Sequence, residues 1–311
     1  MKKDTISVAI ATYNGEKYLR DQLESLYCQT RVPDEVVVSD DCSTDGTIEI
    51  LEEYKEKYGL KYIAHDNNLG VNKNFEAAIR ACKCDYIAIC DQDDIWFPNK
   101  IKESYNKIKE IEDGITPIVV SSQTYHINGE GKLISTSRHI IKDSSKAVST
   151  LLFPPGVTQG CTLMFNRQLL DLLKPFPKSE IVLYDSYIGM TCASIGKKYN
   201  MSQPLMYYRH HSNNAVASNL LKKDSTIRKI KDYIKCYFNP VSISKERLRL
   251  FSIIKREYGS LFTTEIQVLY AKINEYSNSQ SKIRKICLVW RFKDLCVCRK
   301  AAWSIGLLFN K

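Results

Sequence analysis

The chain has 311 residues, 44% hydrophobic and 26% charged, which is ordinary globular usage and excludes wholesale disorder. With 13 Gly and 9 Pro, collagen-like and low-complexity chains are excluded too. The net charge of +10 is uneven: residues 222–311 hold 20 Lys and Arg against 7 Asp and Glu, which leaves −3 for residues 1–221.

The apolar run at 6–11 predicts a strand ending in Thr12-Tyr13-Asn14-Gly15. It contains no cleavage-like small-residue site, so it does not read as a secretory signal, and a cytoplasmic protein is expected. Residues 16–29 place Tyr18, Leu19, Leu23, Leu26 and Tyr27 on one helical face. The β-branched run at 35–39 predicts a second strand, ending in Asp40-Asp41. A helix is expected over 47–58, a strand over 61–64, a helix over 74–82 and a fourth strand over 86–90. That strand runs into Asp91-Gln92-Asp93-Asp94. A helix over 99–111 and a strand over 117–121 follow.

This alternation predicts an α/β fold, a mostly parallel central sheet flanked by helices on both faces. Beyond 121 it lapses. A hairpin turn is expected at 128–131, strands at 157–165 and 204–208, and a helix at 184–195. The strand at 204–208 leads into Arg209-His210-His211. Eleven cysteines in a chain without an export signal are expected to be reduced, the C-x-C pairs Cys82/Cys84 and Cys296/Cys298 included.

In open α/β sheets, ligands bind beyond the carboxyl ends of the strands. Here those ends carry two acidic clusters. Converging carboxylates repel unless a cation or hydrogen-bond donors lie between them, and Mg²⁺ suits one or two carboxylates plus substrate phosphates. No Gly-rich dinucleotide loop follows the first strand and no P-loop occurs, so dehydrogenase and NTPase readings fall away.

The blocks ISVAIATYNG, EVVVSDDCSTDGT, NLGVNKNFEAAI and YIAICDQDDIWFPNKI, in that order and spacing, resemble family 2 of the nucleotide-sugar glycosyltransferases. DQDDIW and the stretch from Tyr208 resemble bacterial rhamnosyltransferase-like members. The resemblance implies a GT-A fold over 1–220 and an inverting, metal-dependent sugar transfer. The donor would be a UDP- or dTDP-sugar, with dTDP-rhamnose among the candidates, and the acceptor a saccharide in surface polysaccharide assembly. Thr12, Tyr13 and Asn14 would line the nucleoside pocket. Asp40 is the first choice for reading the pyrimidine N–H, with Asp41 the second. Lys73 and Gln92 would lie near the nucleotide. Asp91, Asp93 and His211 would hold Mg²⁺ or Mn²⁺, with Asp91 also near the ribose and His210 as the weaker histidine. Asp185 would be the catalytic base, a role compatible with capping the helix at 184–195. Trp96 reads equally as a sugar platform or a core residue, and Cys161 is assigned no role. Two other readings are a nucleotidyltransferase making the sugar nucleotide and a non-catalytic carbohydrate- or membrane-binding protein.

Residues 221–311 read as a basic amphipathic helical extension. Tyr233, Tyr237, Phe238, Leu248, Leu250, Phe251, Ile253, Ile254, Leu288, Trp290, Phe292, Trp303, Leu307 and Phe309 are interleaved with Lys and Arg. That pattern favours an anionic membrane surface, ahead of helices packed on the main domain with their charges in water, and ahead of nucleic acid. It places the enzyme at the inner face of the cell membrane, acting on a lipid-linked acceptor.

Overall fold

The computed structural model describes residues 3–136, 159–178, 182–211 and 245–290. In chain order the elements are β1 (Ile6–Thr12), α1 (Glu16–Tyr27), β2 (Glu35–Asp40), α2 (Thr47–Tyr58), β3 (Lys61–Ala64), α3 (Val71–Ala81) and β4 (Tyr86–Asp91). Next come β5 (Ile95–Trp96), α4 (Lys100–Ile111), β6 (Ile118–Asn128), β7 (Leu133–Thr136), β8 (Leu163–Asn166) and α5 (Arg167–Leu172). The last are α6 (Tyr184–Ile195), β9 (Lys197–His210), α7 (Lys245–Tyr258), α8 (Thr264–Asn278) and α9 (Lys282–Trp290).

The strands form one sheet in the order β3-β2-β1-β4-β8-β6-β9-β5, with β7 hairpinned onto β6. β3, β2, β1 and β4 are mutually parallel. Their alternating side chains feed two cores. Ile6, Val8 and Ile10 of β1 pack with α1, α2 and α4, while Ala9 points to the opposite face with α3 and α6. The strand expected at 117–121 does not join β4 directly. β8 lies between them, antiparallel to both β4 and β6. The antiparallel wedge brings Gly160 and Cys161, just before β8, to the carboxyl end of β4.

Where it is described, the basic extension follows the packed-helix reading in place of the favoured membrane one. Leu250, Phe251, Ile254, Tyr258, Tyr270, Ile273 and Leu288 are buried in the same core as α3 and α6. Phe251 stacks on Tyr270 at 3.4 Å, and the Tyr258 hydroxyl meets that of Tyr187 at 2.8 Å. These apolar faces therefore cover the body, not a membrane. Ile283 and Trp290 remain exposed. Tyr233, Tyr237, Phe238, Phe292, Trp303, Leu307, Phe309 and the boundary near 220 lie outside the described residues. Among the described residues no helix is long and apolar enough to cross a membrane, and every cysteine is free.

Candidate active site

The first acidic cluster closes on itself. Asp40 ends β2 opposite Thr12 of β1. Its carboxylate accepts from Thr12 Oγ1 at 2.8 Å, from the Ser43 amide at 2.9 Å and from Ser43 Oγ at 2.5 Å. Asp41 follows, with Oδ1 accepting the Leu69 amide at 2.6 Å and Oδ2 the Gly70 amide at 3.0 Å. Gly70 has φ +80°, the left-handed region glycine tolerates, and this turn presents both amides to Asp41. Both carboxylates are buried. The Asn74 amide donates to the Thr12 carbonyl at 3.0 Å and ties α3 to the end of β1.

Tyr13, Asn14 and Gln92 form the rim. The Gln92 amide clasps the Tyr13 backbone: Oε1 accepts its N–H at 2.9 Å and Nε2 donates to its carbonyl at 3.0 Å. Asn14 accepts the Thr44 amide at 2.9 Å, and the Tyr13 ring is half exposed. Lys73 pairs with Glu76 at 2.5 Å, one turn along α3. The structure thus pairs Lys73 with a buried carboxylate of its own helix and does not join it to the nucleotide-side residues.

The second cluster is strained by charge. Asp91, Asp93, Asp94 and Asp185 gather at the carboxyl end of β4, opposite the start of α6. Burial and the neighbouring Asp93 and Asp185 carboxylates raise the Asp91 carboxyl above the ordinary range. Burial likewise pushes Asp185 up to about 6, against the Ser186 and Gly160 amides that donate to it. Asp185 is not the helix cap. Leu183 is, and Asp185 sits in the first turn of α6. The carboxyl of Asp94 is fully buried; its Oδ1 accepts the Arg209 amide at 3.0 Å and its Oδ2 has no hydrogen-bond partner.

The three expected metal ligands fall into two adjacent groups. Asp93 Oδ2 meets His211 Nε2 at 2.7 Å, and the His211 ring packs on Tyr18 at 4.7 Å. Asp91 instead lies with Asp94 and Cys161, their ligand atoms all within 4.8 Å of one another. Burial holds the Cys161 thiol well above its usual range, so it offers no ready thiolate. The donors fit a hard divalent cation: carboxylate oxygens plus one imidazole, beside a carboxylate cluster short of positive charge.

His210, the weaker histidine, is buried and joined to His126 at 2.6 Å, while His211 is the one that meets Asp93. Trp96 is 2% exposed, pairs with Met206 across β5 and β9, and lies under the Lys100 ammonium at 4.5 Å. It is a core residue and not a sugar platform.

Three positioning residues were not singled out from the sequence. Arg209, 3% exposed, donates from Nε to the Asp93 carbonyl at 2.9 Å and from its terminal nitrogen to Asp21 at 3.0 Å. It thereby fixes the acidic loop against α1. The Asn72 side chain brackets the segment before the base: Nδ2 donates to the Val182 carbonyl and Oδ1 accepts the Tyr184 amide, each at 2.8 Å. Tyr184 stands between Phe75 and Gly160. Only Asn72 had a local signal, as an amide in the first turn of a helix that starts at the site.

Comparisons with known proteins bear on the chain's family and its fold. The family model of Glycosyl transferase family 2 matches residues 7–174. The chain is 28% identical over 224 residues to the dTDP-rhamnosyl transferase RfbG of Shigella flexneri, covering 68% of this chain and 74% of that protein. Among solved structures it is similar to S. aureus TarS 1-349 in complex with UDP-GlcNAc. There the TM-score is 0.60 at 20% identity, over 96% of this chain and 78% of that one. It is also similar to the Pyrobaculum calidifontis mannosyltransferase PcManGT in complex with GDP-Man and Mn²⁺. That match has a TM-score of 0.52 at 15% identity, over all of this chain and 89% of that one. These two likenesses concern the fold, which is of the GT-A type. The family model spans more than half of the chain, its motifs lie at the carboxyl edge of that sheet, and the chain belongs to glycosyl transferase family 2.

Proposed function

We propose that the protein transfers a sugar, with inversion, from a UDP- or dTDP-sugar to a saccharide hydroxyl in surface polysaccharide assembly. The observation that carries this reading is the placement of Asp185 beside Asp91 at the carboxyl end of β4, its carboxyl pushed up to about 6. A carboxylate with that pKa is ionised at neutral pH and is a better base than an ordinary aspartate.

The roles divide as follows. Tyr13 and the Asn14 loop receive the nucleoside. Asp41 reads the pyrimidine N–H, ahead of Asp40. Asp40 already accepts three hydrogen bonds, whereas each Asp41 oxygen accepts one and keeps a lone pair. Asp91, Asp93 and His211 would hold Mg²⁺ or Mn²⁺, which when bound neutralises the diphosphate's charge. Asp185 takes the proton of the acceptor hydroxyl as that oxygen attacks the anomeric carbon from the side opposite the diphosphate. Asn72 and the Gly160 amide hold Asp185 in place. The RfbG likeness supports dTDP-rhamnose as a donor to try first.

A lipid-linked saccharide at the cytoplasmic face of the membrane is the acceptor we favour. The +13 charge of residues 222–311 would draw the enzyme to anionic lipid. The charge-strained cluster speaks against a decayed, non-catalytic protein, and the family against a nucleotidyltransferase.

The experiment is release of UDP or dTDP from a panel of sugar nucleotides, with Mn²⁺ or Mg²⁺ and with EDTA. Release that requires the cation is expected. Release unaffected by EDTA would refute the metal's part, and no release across the panel would refute the donor class.

A further inference from the structure

Tyr184 immediately precedes the base, and its hydroxyl lies 3.5 Å from Asp91 Oδ1, at the outer limit of a hydrogen bond. The ring is locked. Phe75 stacks on it at 3.9 Å and 22°, and Asn72 Oδ1 accepts the Tyr184 amide. On the other side is Gly160, where a Cβ would stand 1.9 Å from the Tyr184 hydroxyl and 2.5 Å from Cζ. Any side chain at 160 would push the hydroxyl away. The hydroxyl is thus fixed by three separate elements, yet its bond to Asp91 is long. A preorganised polar group with a poor partner suits a ligand that completes it.

The reaction geometry says which part of the ligand that is. In an inverting displacement the anomeric carbon lies between the leaving diphosphate and the base. Asp91 stands at the diphosphate end and Asp185 at the acceptor end. Tyr184 bridges them, bonded along the chain to Asp185 and through its hydroxyl to Asp91. The Tyr184 ring is buried and its hydroxyl faces the carboxyl of the partly exposed Asp91, so a donor sugar seated between Asp91 and Asp185 would meet this hydroxyl.

We infer that Tyr184 is a specificity-determining residue whose hydroxyl bonds a hydroxyl or ring oxygen of the donor sugar, on a floor that only glycine at 160 leaves open. This deepens the proposed donor reading and rests on it. A site built to bond a sugar oxygen penalises the sugar that lacks it, because its own buried group is then unpaired. The nucleoside diphosphate, which carries no sugar to meet the hydroxyl, gains nothing from it.

The test is isothermal titration of the full chain and of Tyr184→Phe with UDP-GlcNAc, UDP-glucose and dTDP-rhamnose, and with UDP and dTDP as controls, in the presence of Mn²⁺. Phenylalanine keeps the stack on Phe75 and removes only the oxygen. For the sugar nucleotide that the wild type binds, Kd should rise about 3- to 10-fold, the weight of one hydrogen bond. Kd for the matching nucleoside diphosphate should not change. Gly160→Ala should weaken the same sugar nucleotide at least as much. Equal sugar-nucleotide affinity in wild type and Tyr184→Phe overturns the inference. So does an equal loss for sugar nucleotide and nucleoside diphosphate, which marks a purely structural ring. A wild type that binds none of the three sugar nucleotides overturns the donor reading, and this inference with it.

Discussion

Two pairs of adjacent aspartates end two neighbouring parts of one sheet, and their fates differ. At the end of β2, Asp40 and Asp41 receive five hydrogen bonds from Thr12, Ser43, Leu69 and Gly70. At the end of β4, Asp93 and Asp94 and their neighbours Asp91 and Asp185 repel one another. Asp94 Oδ2 has no partner, and the carboxyls of Asp91, Asp94 and Asp185 are all raised. The first cluster uses its carboxylates to build a loop, so its charge is already compensated. The second holds charge that folding does not compensate, and that is the condition in which a cation or a reacting proton is stabilised. Similar acidic words in the sequence therefore do different work. Hydrogen-bond donors fix the first pair and leave it only spare lone pairs for a neutral N–H, and the second group stays open to a cation or a proton.

The largest effect that separates the two clusters is expected at Asp185. Asp185→Asn should lower turnover by at least about 10²-fold, the usual weight of acid–base catalysis, with donor Kd within a few fold. Its folding should hold, because burial already disfavours the charged carboxylate, and the melting midpoint should equal or exceed that of the wild type. Turnover that survives would move the base elsewhere. The pH profile follows with a definite sign. The base works ionised, so the rate should fall as pH drops through about 6 and level off above it. A rate independent of pH between 5 and 8 would contradict the assignment.

At the first cluster the expected damage is to stability, and to nucleotide affinity through the base contact proposed for Asp41. Asp41→Asn places an amide N–H against the Leu69 or Gly70 N–H and leaves a buried donor unpaired, at a cost of about 1–3 kcal/mol. Thermal unfolding should shift down by several degrees, roughly 2–4 °C per kcal/mol for a chain approaching this size. An unchanged midpoint would show that these bonds are not what holds the loop. The smallest effect is expected at Lys73. Lys73 is partly exposed and Glu76, though buried, keeps Arg80 as a second partner, so the pair is worth about 0.5 kcal/mol, and Lys73→Ala should leave nucleotide affinity within about twofold. A tenfold loss would return Lys73 to the nucleotide site.

The same contrast explains what the sequence made legible. β1 to β4 and their helices follow from local periods, because β1, β2 and β4 are buried on both faces, the exposed edge strand β3 keeps β-branched and aromatic residues at its centre, and each helix has one apolar stripe. Thr47–Tyr58, Lys61–Ala64 and Tyr184–Ile195 match their expected bounds. The far half depends on pairing at long range. Nothing local says that Leu163–Asn166 runs antiparallel between β4 and β6. β9 is longer than the segment at 204–208 because it continues through exposed Ser202 and Gln203, where its register against β6 shifts. The site divides in the same way. The acidic residues stand at strand ends and could be read in advance. Arg209, Asn72, Tyr184 and Cys161 matter through partners tens of residues or more away, which no local pattern encodes. The apolar stripes of α7 to α9 were real, but a periodicity records that a face is covered and not what covers it.

The central claim is that the β4 cluster, and not the β2 cluster, is where charge awaits a cation. Mn²⁺ binding followed by electron paramagnetic resonance tests it most directly, with UDP or dTDP raised until each protein is saturated, on the wild type, Asp93→Asn and Asp41→Asn. One bound Mn²⁺ is expected in the wild type. Asp41→Asn should bind it with similar affinity once folded, and Asp93→Asn, which also breaks the contact with His211, should bind it at least about tenfold more weakly. Unweakened Mn²⁺ binding by Asp93→Asn, or its loss in folded Asp41→Asn, would contradict the account.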